Sequence, residues 1–137
     1  LTQGQRVVNL AMFAEMQGAT GVVLNAPTAS AVVSHVAETI DIPVVLTVVR
    51  ADTDFDERIR AGADIFNVSA AAEPPAVVRR IREQHPDVPI IATGGPTDES
   101  ILETIKAGAN AITWTPPSNG EIFRDIMAAY RDNKPHP

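Results

Sequence analysis

The chain of 137 residues contains no cysteine. Disulfides, thiolate nucleophiles and cysteine-ligated metals are therefore excluded together. Lysine is nearly as scarce, occurring only as Lys106 and Lys134. Lys106 falls near a helix C-terminus and Lys134 in the tail, so neither can project from a strand as a Schiff-base aldolase requires. The histidines are His35, His85 and His136. They fall mid-helix, at a helix end before Pro86 and in the tail, and no pair has metal-ligand spacing. No metal and no cofactor are expected. Basic residues number 11 against 17 acidic ones, for a formal charge of −6. Nucleic acid is excluded as a partner, because neutralising phosphates needs clustered Lys and Arg. No apolar run approaches the roughly 18 residues of a membrane span, and no signal-peptide pattern opens the chain, so a cytoplasmic protein without membrane contact is expected.

Aromatics make up only 4% of residues, while hydrophobic residues reach 45%. Ala, Val and Ile carry the apolar content, which suits a parallel sheet beneath small-faced helices. Their arrangement is repetitive. Ile42-Pro43-Val44-Val45-Leu46-Thr47 recurs as Val88-Pro89-Ile90-Ile91-Ala92-Thr93, and Ala61-Gly62-Ala63-Asp64-Ile65 recurs as Ala107-Gly108-Ala109-Asn110-Ala111. Both recurrences have a spacing of 46 residues. An earlier copy of the second half stands at Gln17 to Leu24, 44 residues before its successor. That is the length of two strand-helix units, so the chain reads as a run of βα units.

Local signals place the elements. Thr2 with Gln5 forms a capping box for a first helix that ends at Gly18. Strands are expected at 21–25, 43–48, 65–69, 89–93 and 110–115. Helices are expected at 28–39, 54–61, 74–85, from Thr97 to Gly108, and at 122–130. The prediction is one βα-repeat domain over residues 1–132 with a flexible tail at 133–137. Five parallel strands in sequence order and about six helices satisfy two architectures. One is a doubly wound sheet; the other is a segment of a (βα)8 barrel. The repeat favours the barrel. Five strands do not close an ordinary barrel, so an open, partial barrel is expected, either short by nature or lacking upstream units. The chain starts at Leu1 and not at Met, so a cut, processed or omitted stretch upstream is expected, and the two possibilities stay open.

Val88 to Gly95, followed by Ala107 to Thr113, resembles the late strands of phosphate-binding TIM barrels, in which a small-residue strand ends in a double glycine. Across the chain the spacing is most similar to the glycerol-3-phosphate-responsive antiterminator family and its uncharacterised barrel relatives. The resemblance implies strands three to seven of such a barrel, and a phosphate between the Gly94-Gly95 loop and the turn after the next strand. In that second turn Pro116 and Pro117 offer no N–H, which leaves Ser118, Asn119 and Gly120 as donors. Asp98 and Glu99 open the helix after the glycines and oppose an anion. A tight βα turn accounts for the same two glycines without a ligand.

Barrel sites sit at strand carboxyl ends. Those ends offer Asn25, Thr47, Asn67, Ser69, Thr93, Thr113 and Thr115 as pocket-lining groups, though they can equally hydrogen-bond one another inside a barrel. Arg50 closes an otherwise apolar strand, where its guanidinium can clamp an anion or pair with Asp52 or Asp54. Asp52, Asp54 and Asp56 lack the glycine and terminal glutamate of a calcium loop. Trp114 has the opposite parity to its neighbours and should face helix packing or a subunit contact. No complete catalytic set is visible. The expected function is a small phosphate or other anion bound at the strand ends of a self-associating barrel segment. The alternative is a lyase, isomerase or hydrolase of a phosphorylated molecule, completed by an absent part or a partner subunit. An open parallel sheet exposes two edges, here the strands at Val22 and Ile112, so a homodimer or larger oligomer is expected.

Overall fold

In the computed structural model, which describes residues 2–25, 27–69, 73–114 and 118–132, alternation along the strands decides the layering. The elements run α1 (Gln3–Met16), β1 (Val22–Leu24), α2 (Ser30–Thr39), β2 (Val44–Val48), α3 (Phe55–Ala61), β3 (Ile65–Val68), α4 (Pro74–Gln84), β4 (Ile90–Thr93), α5 (Asp98–Ala107), β5 (Ala111–Thr113) and α6 (Asn119–Arg131). All five strands are parallel in one open sheet, in the order β1-β2-β3-β4-β5. The edges are therefore β1 and β5, as the sequence predicts.

One parity of strand residues builds the core. Leu24, Val44, Leu46, Val48, Phe66, Val68, Ile90 and Ala92 pack with Val8, Val33, Val36, Phe55, Val77, Val78 and Ile81 from the helices. Phe55 and Phe66 meet edge to face with centroids 5.5 Å apart. Burying side chains of this size contributes roughly 1.5–3 kcal/mol each. The other parity is outside that cluster and mostly less buried: Val45 is buried at 7%, but Val23 is 54% exposed, Ile65, Asn67 and Ile91 are half-buried, and Thr93 and Thr113 are exposed. Helices on one face only of a sheet in sequence order are the arrangement of a barrel wall and not of a doubly wound sheet.

The helix signals act as read. Thr2 accepts from the Gln5 N–H at 3.1 Å while Gln5 returns the bond, and Thr97 and Ser118 cap α5 and α6 in the same way. Asp54 is the N-cap of α3, so the helix begins one residue later than expected. Helix α6 starts at Asn119, three residues earlier than expected, because the Ser118–Glu121 capping box nucleates it there. Gly62 and Gly108 close α3 and α5 with φ of 124° and 121°, a conformation that L side chains rarely adopt.

Helix α6 differs from the rest, since none of its residues is buried. Phe123 and Met127 are 63% and 39% exposed. By the 46-residue repeat they correspond to Val77 and Ile81 of α4, which are buried at 4% and 0%. Among the described residues, the face of α6 that the repeat assigns to a neighbouring strand thus has no strand to cover. Helix α1 exposes Leu10, Phe13 and Met16 at the opposite end of the sheet. Among the described residues no helix is long and apolar enough to cross a membrane.

Candidate functional site

The carboxyl ends of β1, β2 and β3 carry a connected polar row on the face that no helix covers. The register pairs Thr47 with Asn67. The Asn67 side-chain amide donates to the Thr47 hydroxyl at 3.1 Å, and that hydroxyl donates to the Asn25 side-chain oxygen at 3.2 Å. Thr47 is thereby engaged both as donor and as acceptor. Among the described residues no bond takes up the Asn25 amide hydrogens or the Asn67 carbonyl oxygen. Of the alternatives weighed for these residues the structure has the mutual bonding, with Asn25 exposed and Asn67 half-buried. At the next level Thr93 pairs in register with Thr113, and both are exposed. The exposed Ser69 follows β3, its N–H donating to Val48 O at 2.9 Å. Thr115 lies outside the described residues, as do the tail residues 133–137.

The double glycine has a packing reason. A Cβ on Gly94 would stand 2.6 Å from Ile112 Cγ2 and 2.7 Å from Ile101 Cγ1. Gly95 has φ of 80°, and a Cβ there would lie 2.6 Å from Ser100 Oγ. The Gly94 N–H is engaged by Thr113 O at 3.2 Å. Ser118 sits at the start of α6, and its N–H is held by the Glu121 carboxylate at 3.2 Å. Asn119 is the first residue of α6. Asp98 and Glu121 line the cleft beside Gly95, and no cationic side chain does so among the described residues. Trp114 lines it too and is 58% exposed, so it is not consumed by helix packing within the chain.

Of the two roles open to Arg50, anion clamp or carboxylate pair, the structure has the pair with Asp52. Its guanidinium meets the Asp52 carboxylate through two bonds of 2.9 and 2.8 Å. These hydrogen bonds, more than the bare charge, hold the Asp52 carboxyl below the usual aspartate range, and they raise Arg50 in turn. Both side chains are open to water, at 73% and 69% exposure, so the pair is weak. Arg58 is not among the residues that the sequence singles out. It is half-buried, and its Nη1 donates to the Thr28 carbonyl and to Ser30 Oγ (3.3 Å), tying α3 to the turn after β1. Its signal was spacing: the repeat places it opposite Thr104, a buried position where the second copy has no charge.

Arg82 serves structure. Arg82 donates to the carbonyls of Gly108 and Pro86 at 2.9 and 3.1 Å and to the Asn110 side chain at 2.6 Å. These contacts lie at the amino-end face, where barrel residues stabilise the fold. His85 Nε2 lies 2.7 Å from Asp56 Oδ1 without an aligned hydrogen bond. No cluster of three metal-ligating side chains occurs among the described residues.

No protein-family model matches the chain, and no curated protein matches it in sequence. Solved structures do. A mandelate oxidase point mutant with 4-Br-2-hydroxy-methylphenylacetate matches with a TM-score of 0.70 at 19% identity, over 83% of this chain and 47% of that one. The fold is TIM-barrel-like. A second mandelate oxidase mutant structure, with the monooxide FMN adduct, gives a TM-score of 0.69 at 21% identity over 83% and 45%. The native KDPGal structure matches 96% of this chain and 66% of its own, with a TM-score of 0.62 at 20% identity. This chain spans about half the length of the mandelate oxidase chains. At such identities the likeness is one of fold, and it supplies a barrel wall without a family or an activity.

Proposed function

We propose that this chain is a barrel segment that binds a small anionic, phosphate-type ligand at its strand carboxyl ends and covers its open face by self-association. The observation that carries this reading is the Asn25–Thr47–Asn67 row, a preformed polar edge on the uncovered face where barrel ligands bind. Neutral amides and hydroxyls there suit the polar body of a small ligand, and Arg50 at the rim suits its charge. No lysine, histidine or carboxylate is in the row, so the chain orients a ligand and does not by itself transform it.

The test is thermal unfolding in inorganic phosphate against chloride at equal ionic strength. A ligand that binds only the folded state raises the midpoint with concentration. The reading expects a phosphate-specific, saturable rise, and identical curves in both salts would refute it.

A second reading is an enzyme on a phosphorylated small molecule, its acid or base supplied by further βα units or a partner subunit. The observation in its favour is coverage. This chain corresponds to 47% and 66% of the mandelate oxidase and KDPGal chains.

A further inference from the structure

We infer that the anion site of this chain is a cleft over the ends of β1 and β2, between the turn after β1 and the start of α3, where Arg50 and Arg58 together receive a phosphate group. The inference rests on the anion-binding reading above but moves the charge away from the double glycine.

Three observations converge on this place. The first is electrostatic. A cleft of about 250 Å3 is lined by Arg50, Arg58, Asn25, Thr28, Thr47 and Thr53, over an apolar floor from the end of β2. Two guanidinium groups and several neutral polar groups meet there, and no carboxylate lines it among the described residues. The cleft beside Gly95 has the opposite character, with Asp98 and Glu121. The groove between α4 and α5 surrounds Arg79 with Glu73 and Glu103. Guanidinium forks bind phosphate oxygens in pairs, and Asp and Glu repel them.

The second observation is preorganisation. Arg58 is half-buried and fixed through Nη1 to Thr28 O and Ser30 Oγ, an anchoring that orients its guanidinium beside the cleft. Among the described residues the Arg50 guanidinium is held by Asp52 alone, itself 69% exposed and outside the cleft lining. Exchanging that partner for a phosphate breaks no buried contact.

The third is a local departure from the repeat. Helices α3 and α5 end at corresponding residues, Ala61 and Ala107, yet α3 has 7 residues and α5 has 10. The missing turn stays unwound from Arg50 to Asp54, where Thr53 donates to Arg50 O at 2.8 Å. Arg58 occupies the repeat position of Thr104, which is buried and uncharged. The two copies diverge in loop length and in charge around one cleft. Its size is below the roughly 300 Å3 of pockets that enclose a whole ligand, so it suits a phosphate head whose organic body extends over the polar row.

The experiment is a titration of the unaltered chain with inorganic phosphate, followed by amide 1H–15N correlation spectra, with chloride as the ionic-strength control. The expected result is saturable, phosphate-specific shifts at Thr28, Ser30, Arg50 and Thr53. Arg50→Gln, which removes only an exposed pair, should weaken them by roughly tenfold, the loss of one charge-assisted contact. Shifts confined to Gly94, Gly95 and residues 118–120 would overturn this location while leaving the anion-binding reading intact. No phosphate-specific shift at any amide would overturn both.

Discussion

Asp64 and Val44 exchange two hydrogen bonds across the amino end of the sheet. The Val44 N–H donates to the Asp64 carboxylate at 2.9 Å, and the Asp64 N–H donates to the Val44 carbonyl at 2.9 Å. One repeat later, Asn110 and Ile90 do the same, again at 2.9 Å in each direction. The recurring residue is therefore a side-chain acceptor that satisfies the first buried N–H of the preceding strand, and its charge is incidental.

Asp64→Asn should accordingly leave stability within about 0.5 kcal/mol of the parent, since Asn110 already performs this role with an amide oxygen. Asp64→Ala leaves the Val44 N–H unsatisfied and should cost about 1–3 kcal/mol. Urea unfolding of the two variants checks the difference. Equal losses for both would show that the charge matters.

Gly94→Ala should destabilise the fold by about 1–3 kcal/mol, because the new methyl group intrudes on Ile112 and Ile101 at 2.6 and 2.7 Å. The phosphate response should persist in the variant, as the cleft by Arg50 is untouched. Denaturant midpoints read the first effect and spectra with phosphate the second. An unchanged midpoint would contradict the packing role.

The Arg50–Asp52 pair sets the sign of one titration. Asp52 is held below the ordinary aspartate range when folded. Any stability it gives is present above the unfolded pKa and fades as pH falls through the folded one. Arg50→Gln should raise the Asp52 midpoint toward the ordinary range, read from its carboxyl carbon in an NMR titration. A midpoint that stays put would mean the bidentate contact does not persist in solution.

Phe123→Glu places a charge in the exposed apolar stripe of α6. As no residue of that helix is buried within the chain, the folded protomer should lose less than about 0.5 kcal/mol. Self-association should fall sharply, since the stripe would then carry a desolvated carboxylate. Sedimentation of the variant beside the parent reads this directly. A variant that unfolds would contradict the exposure of Phe123 within the protomer.

Much of this was legible in the sequence. The recurrence of Pro43-Val44-Val45 as Pro89-Ile90-Ile91 located the covered strands, and Gly62 and Gly108 located the helix ends, because a glycine with positive φ leaves a local mark. The polar row was legible as residues but not as bonds. That Asn67 reaches Thr47, and Thr47 reaches Asn25, depends on sheet register, which strand pairing fixes between segments about twenty residues apart. Arg58 was missed because helical periodicity sorts side chains by face and says nothing of a loop folding over them. The Thr28 carbonyl that holds it comes from another βα unit. The start of α6 was missed for a local reason: two prolines beside Ser118 read as loop, while the capping box just beyond them begins the helix.

Sedimentation velocity of the 137-residue chain at micromolar concentration tests the central claim most directly. An open barrel segment with an uncovered inner face, two unpaired sheet edges and apolar stripes on α1 and α6 should sediment as a dimer or larger species, at twice the 14.6 kDa protomer mass or more. A single 14.6 kDa species throughout that range would contradict it.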